Sequence, residues 1–220
     1  NKYNIGGVTF FRTDAASLLG QANEWQSMAQ TPMMIAIDGE WGLGMRINDG
    51  LSYPYQMTLG AITNDSLIAE MGRQIAEQCV RLGINVNFAP DIDVNNEPNN
   101  PVIGFRSFGE NPDNVARKGT AYALALQNNG VLPSMKHFPG HENTKTDSHH
   151  ALPIIKNSLE EIEEIELYPF KYLTDNGVKG AMVGHLYFPA LEPIVNKSSS
   201  LSKNIVTDLL KEKMNYDGII

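Results

Sequence analysis

The sequence predicts an α/β fold of the TIM-type (β/α) barrel class, on three observations. Apolar, strand-like runs recur at 5–11, 33–37, 84–89, 131–136 and 180–186, with another starting at 218. A helical pattern lies between successive runs, and the spacing is wide enough for a crossover helix and its loops, as parallel strands require. No Gly-rich phosphate loop follows the first run, which argues against a doubly wound dinucleotide fold. Polar residues end several different runs: Asp38, then Asp91 and Asp93, then Lys136 and His137, then His185. In a barrel every strand points its C-terminal end into one shared site, so scattered strand-end polar groups converge there.

The helices carry their own punctuation. Over 64–82, Ile68, Met71, Ile75, Cys79 and Leu82 fall at three- and four-residue steps, and Gly83 sits where a C-cap is wanted. Cys79 on that apolar face reads as a small core residue. Over 111–129, Asn111 caps, Pro112 takes the first helical position and Gly130 closes. Ser158-Leu159-Glu160-Glu161 is a capping-box pattern ahead of Ile162, Ile165 and Leu173. The acidic run it opens reads as a solvated face whose early carboxylates suit the positive helix N-terminus. A last helix over 203–214 is expected to bury Ile205, Val206, Leu209 and Leu210. An eight-stranded barrel runs to about 250 residues. Five full strands and the start of another therefore read as one partial barrel domain over 1–220, lacking a first strand and the last two.

Composition narrows the function classes. Seventeen basic against 25 acidic side chains give a net charge of −8, and no basic stripe offers a nucleic-acid backbone a partner. Apolar runs such as Met33-Met34-Ile35-Ala36-Ile37 are far shorter than the roughly 20 residues that span a bilayer. A single cysteine excludes an internal disulfide framework and a cysteine zinc cage.

The densest polar stretch runs from Lys136 to His150 and holds four of the five histidines. Pro139-Gly140 breaks the strand, so Lys136 and His137 finish it and the remainder is a loop. Asp147 and His149 are two apart, a spacing that lets the carboxylate accept from one imidazole nitrogen and leave the other facing a substrate. Such a histidine can protonate a leaving group and then take a proton from water. Two other readings of this loop stand beside that one. His141, Asp147, His149 and His150 are donor types that suit zinc in a metal-dependent barrel hydrolase. The chain is alternatively a non-catalytic, sugar-binding fragment.

The stretch Lys136-His137-Phe138-Pro139-Gly140-His141, followed after a short loop by Asp147-Ser148-His149, resembles the signature of glycoside hydrolase family 3, in its β-N-acetylhexosaminidase branch. Other segments resemble the family in the right order: Gly6–Phe11, Ile35–Glu40, Asn87–Val94 and Arg106–Pro112. The resemblance implies a retaining exo-β-N-acetylglucosaminidase acting on cell-wall or chitin-derived saccharides, with no cofactor and no metal. It makes His149 the general acid/base, oriented by Asp147. Asp38, Arg106, Lys136 and His137 would hydrogen-bond the hydroxyls and acetamido group of the bound sugar. The β-glucosidase members of the family generally lack the Asp-Ser-His loop, so its presence points to N-acetylglucosamine-type substrates. The family's usual Asp-Gln-Glu-Gly-Gly-Arg stands here as Asp38-Gly39-Glu40-Trp41-Gly42-Leu43-Gly44-Met45-Arg46, with the Arg displaced; Trp41 and Met45 read as loop packing. The nucleophilic Asp of the family follows a Gly-(Val/Ile)-Ile strand of the kind Gly218-Ile219-Ile220 begins, and is expected beyond Ile220. Further barrel segments and a C-terminal domain are expected in the parent protein, and a bacterial, exported location is favoured over a cytoplasmic one. His185 reads either as pocket lining or as the holder of a structural hydrogen bond.

Overall fold

The computed structural model describes residues 5–97, 99–141 and 152–220. Among the described residues five strands alternate with helices: β1 (Gly7–Phe10), β2 (Met34–Ile37), β3 (Val86–Asn87), β4 (Met135–Phe138) and β5 (Ala181–Val183). β1 pairs with β2 and β2 with β3, while β4 pairs with β5, all in parallel. Parallel bridges Val86–Leu132 and Asp91–Lys136 join the two groups, and Gly180–Ile219 continues the array past β5. Spatial order thus follows chain order throughout, as it does around a TIM-type barrel.

The 131–136 run divides its bonding between two neighbours. Toward the β3 segment the Asn87 N–H donates to Leu132 O and the Ile92 N–H to Lys136 O, both at 2.9 Å; toward β5 the Met135 N–H donates to Gly180 O at 3.0 Å. The strand extends to Phe138, one residue beyond His137, its expected end. The register between β4 and β5 slips at Lys136/Phe138. The Lys136–His137 peptide at this point is cis, and both side chains line the same cavity, although neighbours on a regular strand face opposite ways.

The helices are α1 (Ala15–Met28), α2 (Gln56–Gly60), α3 (Asp65–Arg81), α4 (Pro112–Asn128), α5 (Leu159–Glu161) and α6 (Leu167–Asp175). A π-type stretch, Ile162–Glu166, joins α5 to α6, and a π-type helix spans Asn204–Lys213. The expected caps are in place: Asn111 accepts from the Asn114 N–H, Pro112 opens α4, and Ser158 and Glu161 complete the capping box. Asn64, not named from the sequence, caps α3 by accepting from the Ser66 N–H. Gly83 and Gly130 take φ of 74° and 84°, the left-handed turn that ends a helix. On α3, Ile68, Met71, Ile75 and Cys79 are buried; on the last helix Ile205, Leu209 and Leu210 are, but Val206 is only half-buried. Val206 instead lines an apolar cavity of about 490 Å³ on the inner face of the array, together with Val8, Met34, Ala36 and Leu132. Along β2, Ile35 and Ile37 point the other way and are fully buried in the main core, so β2 alternates as barrel strands do. Among the described residues no helix is long and apolar enough to cross a membrane.

Candidate active site

At the C-terminal ends of the strands a second cavity, of about 530 Å³, opens next to the apolar one. Asp38 after β2, Arg106 in the 3₁₀ turn Gly104–Arg106, Lys136 and His137 on β4, and His185 after β5 all line it. Five sequence-predicted residues, far apart in the chain, are thus brought to one place. Asp147 and His149 lie outside the described residues, as does His150. His141 is described and also lines the cavity.

An ion-pair network forms the floor. The Arg106 guanidinium grips the fully buried Glu40 carboxylate with two parallel bonds, Nε to Oε2 at 2.9 Å and Nη2 to Oε1 at 2.8 Å. Lys136 Nζ donates to Glu40 Oε1 at 2.7 Å and to Asp38 Oδ1 at 3.0 Å. Arg46 Nη2 completes the chain with Asp38 Oδ2 at 3.1 Å, its guanidinium lying 5.4 Å from the Phe11 ring centroid. An ammonium has three donors and a guanidinium five. Among the described residues one Lys136 donor and one Arg106 Nη1 donor therefore stay available to a ligand oxygen, and Asp38 keeps acceptor capacity.

Below the network sit Asp91 and Asp93, both fully buried at the end of β3's run. Asp93 accepts from the His137 N–H at 3.1 Å, the His141 N–H at 2.8 Å and His137 Nδ1 at 2.7 Å. Asp91 accepts the Asp93 N–H at 3.1 Å and meets Arg106 Nη2 at 3.2 Å. Burial raises both carboxyls; the adjacent Asp93 adds to the effect on Asp91, which is pushed up to about 7. The three donors that converge on Asp93 favour its charged form, as the Arg106 guanidinium does for Asp91. Burial likewise pulls His137 down to about 3. A neutral His137 fits its neighbours, with Nδ1–H donating to Asp93 and Nε2 facing Arg106 Nη2 at 3.4 Å. Glu40 goes the opposite way: burial opposes its charge, but Lys136 and Arg106 hold it at about 2.

Asp91, Asp93 and His137 bring donor atoms within 4.8 Å of one another, oxygen and nitrogen types that suit a divalent ion. The Arg106 guanidinium already sets a positive charge against this group.

Several participants were not singled out by sequence reasoning. Glu40 and Arg46 follow the predicted Asp38 in one loop; Arg46, displaced from the place of the family's Arg, nonetheless pairs with Asp38. Met45 also lines the cavity, beyond the packing role expected of it, while Trp41 packs edge-on against Tyr55. Gln56 carried no signal. Fully buried, its side-chain amide donates to the backbone carbonyls of Asp91 and Arg106 and joins their two loops. His185 lines the cavity and also holds a hydrogen bond, Nδ1 to Ser200 Oγ at 2.9 Å, so both of its readings apply.

Comparison with known proteins agrees with this geometry. Beta-hexosaminidase A of Pseudoalteromonas piscicida is 37% identical over 242 residues, a match that covers 100% of this chain and 40% of that protein. The structure of a glycoside hydrolase family 3 beta-N-acetylglucosaminidase from Paenibacillus sp. str. FPU-7 superposes with a TM-score of 0.93 at 39% identity, over 98% of this chain and 43% of that one. NagZ from Neisseria gonorrhoeae, solved in complex with N-trifluoroacetyl-D-glucosamine, superposes at 0.89 with 30% identity, over 98% and 66%. The chain thus spans only part of each relative's length. The family model described as the glycosyl hydrolase family 3 N terminal domain matches residues 1–220. With its parallel strands in barrel order and its polar strand ends gathered into one cavity, this chain belongs to the glycosyl hydrolase family 3 N-terminal domains.

Proposed function

We propose that this domain supplies the sugar-binding floor and the general acid/base of a retaining exo-β-N-acetylglucosaminidase. The observation that carries the reading is the meeting of Asp38, Arg106, Lys136 and His137 at one polar cavity. A pyranose has hydroxyls around its edge, each able to donate and accept. Asp38 accepts from them, while Lys136 and Arg106 donate. These charged groups are locked in place by Glu40 and Arg46 before any ligand arrives, so little ordering is required on binding.

In this reading His149 protonates the glycosidic oxygen as the bond breaks and later deprotonates the water that ends the reaction, with Asp147 fixing its ring. The carboxylates in the floor are committed to cations or to backbone donors, so none of Asp38, Glu40, Asp91 and Asp93 is assigned as nucleophile. The expected sugar is terminal N-acetylglucosamine from cell-wall or chitin-derived saccharides. Relatives that carry the hexosaminidase name, and the neighbour solved with a glucosamine derivative, support that choice.

His149→Ala in the full-length parent tests the acid role. Hydrolysis of a chitin disaccharide, whose leaving group needs a proton, should fall about 10²- to 10⁴-fold. Hydrolysis of a 4-nitrophenyl N-acetylglucosaminide should fall much less in its first, glycosylation step, because nitrophenolate leaves unaided. Equal loss in that step for both substrates would remove His149 from the role.

A further inference from the structure

We propose that Asn87 is a positioning residue of this site: from the buried side, its side-chain amide fixes the Asp38–Gly39–Glu40 backbone and so sets how Asp38 meets the sugar. The proposal rests on the reading above, that a terminal sugar sits among Asp38, Arg106, Lys136 and His137.

The regular ladder stops short of the groups that need fixing. β2 and β3 last pair at Ile37 and Asn87, and the Phe88 N–H donates to Ile37 O at 2.8 Å. Asp38 and Glu40 lie beyond that rung. A primary amide offers an acceptor and a donor side by side, as a peptide group does. Asn87 uses both on one residue: its Oδ1 accepts from the Gly39 N–H at 2.8 Å, and its Nδ2 donates to Gly39 O at 3.3 Å. The amide thus adds a rung past the last backbone pair. Gly39 permits the approach, since a Cβ there would lie 3.2 Å from Asn87 Oδ1. Tyr122 on α4 reinforces the hold, its hydroxyl donating to Gly39 O at 2.9 Å.

Asn87 and Tyr122 are both fully buried, and neither lines the polar cavity. On the cavity side, Lys136 Nζ bonds the Asp38 and Glu40 carboxylates at 3.0 and 2.7 Å. The peptide between those two side chains is therefore held from one side and its carboxylates from the other. Ion pairs alone would let the main chain shift with its side chains, because a long lysine can follow them. The amide removes that freedom, so Asp38 keeps one aim while its remaining acceptor capacity faces the ligand. Loss of the amide would leave the Gly39 N–H without this acceptor, and a misplacement of about 1 Å is enough to cost up to about 100-fold in rate.

A double-mutant cycle in the full-length parent tests this, read as kcat/KM for a 4-nitrophenyl N-acetylglucosaminide. Asn87→Ala should lower kcat/KM about 10- to 100-fold. In an Asp38→Asn background the same change should cost at least about fivefold less, because the group that Asn87 aims is already impaired. Tyr122→Phe, which deletes one hydroxyl and keeps the buried ring, should show the same pattern with a loss of about three- to tenfold, and it carries the test if Asn87→Ala does not fold. Equal losses in the two backgrounds would make Asn87 a purely structural residue and overturn the proposal. An Asn87→Ala variant within about twofold of the parent would overturn it as well. A parent without activity on this substrate would instead overturn the sugar reading on which the proposal rests.

Discussion

Arg106 and Glu40 illustrate how much of this site is decided by single residues. Glu40 is fully buried and charged, a state that survives only because Arg106 and Lys136 both reach it. Arg106→Met would leave that carboxylate with one partner, and should cost about 3 to 5 kcal/mol in chemical denaturation of the full-length protein. Arg106→Lys should fall between parent and Met. It restores the charge, but an ammonium cannot make the two parallel bonds or remain 3.2 Å from Asp91 at the same time. A Lys variant as stable as the parent would mean that charge alone holds Glu40. Asp38 and Lys136 were legible as strand-end polar residues, whereas Glu40 was not, because nothing in a sequence distinguishes a buried acid from one in a solvated loop.

The packing of α3 against α4 shows the same limit at the scale of an element. Periodicity and caps predicted both helices, and both formed within a residue or two of the predicted ends. Their separation depends on Gly72, where an added Cβ would lie 2.8 Å from Ala125 Cβ and 2.9 Å from Tyr122 Cδ2. Alanine gains about 1 kcal/mol over glycine in helix propensity, but overpacking typically costs about 1 to 3 kcal/mol. Gly72→Ala should therefore destabilise. Gly20→Ala in α1, where a Cβ would meet nothing within 4 Å, should stabilise by up to about 1 kcal/mol. Melting temperatures of the two variants should move in opposite directions; a shared direction would mean propensity or packing alone governs both.

Across the whole molecule, β2, β3, β4 and the turn at Arg106 meet through buried charge, and that gives stability a pH dependence with opposing parts. Asp91 is raised from 3.8 to about 7, so its contribution is full below about 4 and is lost as pH rises through 7. His137 is lowered from 6.5 to about 3, so its contribution is full above 6.5 and is lost as pH falls through 3. Glu40, lowered from 4.5 to about 2, contributes fully above 4.5 and is lost only as pH falls through 2. Between about pH 4 and 6.5 the Asp91 and His137 contributions oppose each other. Asp91→Asn removes the part that weakens with rising pH and, by taking a negative charge from beside His137, further favours that ring's neutral form. Its stability relative to the parent should therefore increase from pH 5 to about pH 7 and then level off in denaturation midpoints, and a difference independent of pH would show that Asp91 does not titrate there.

The sequence by itself determined the barrel class, the boundaries of α3 and α4 and the residues that end the strands, because periodicity, capping and turn chemistry act over a few neighbouring positions. It also carried the family, through motifs that stay contiguous in the chain. Only the tertiary structure decided which charges neutralise one another. Glu40 lies 66 residues from Arg106, Asp38 lies 98 from Lys136, and Gln56 holds two loops that share no local pattern with it. Whether a buried acid stays charged depends on distances of about 3 Å set by the meeting of separate strands, and spacing along the chain does not encode those distances.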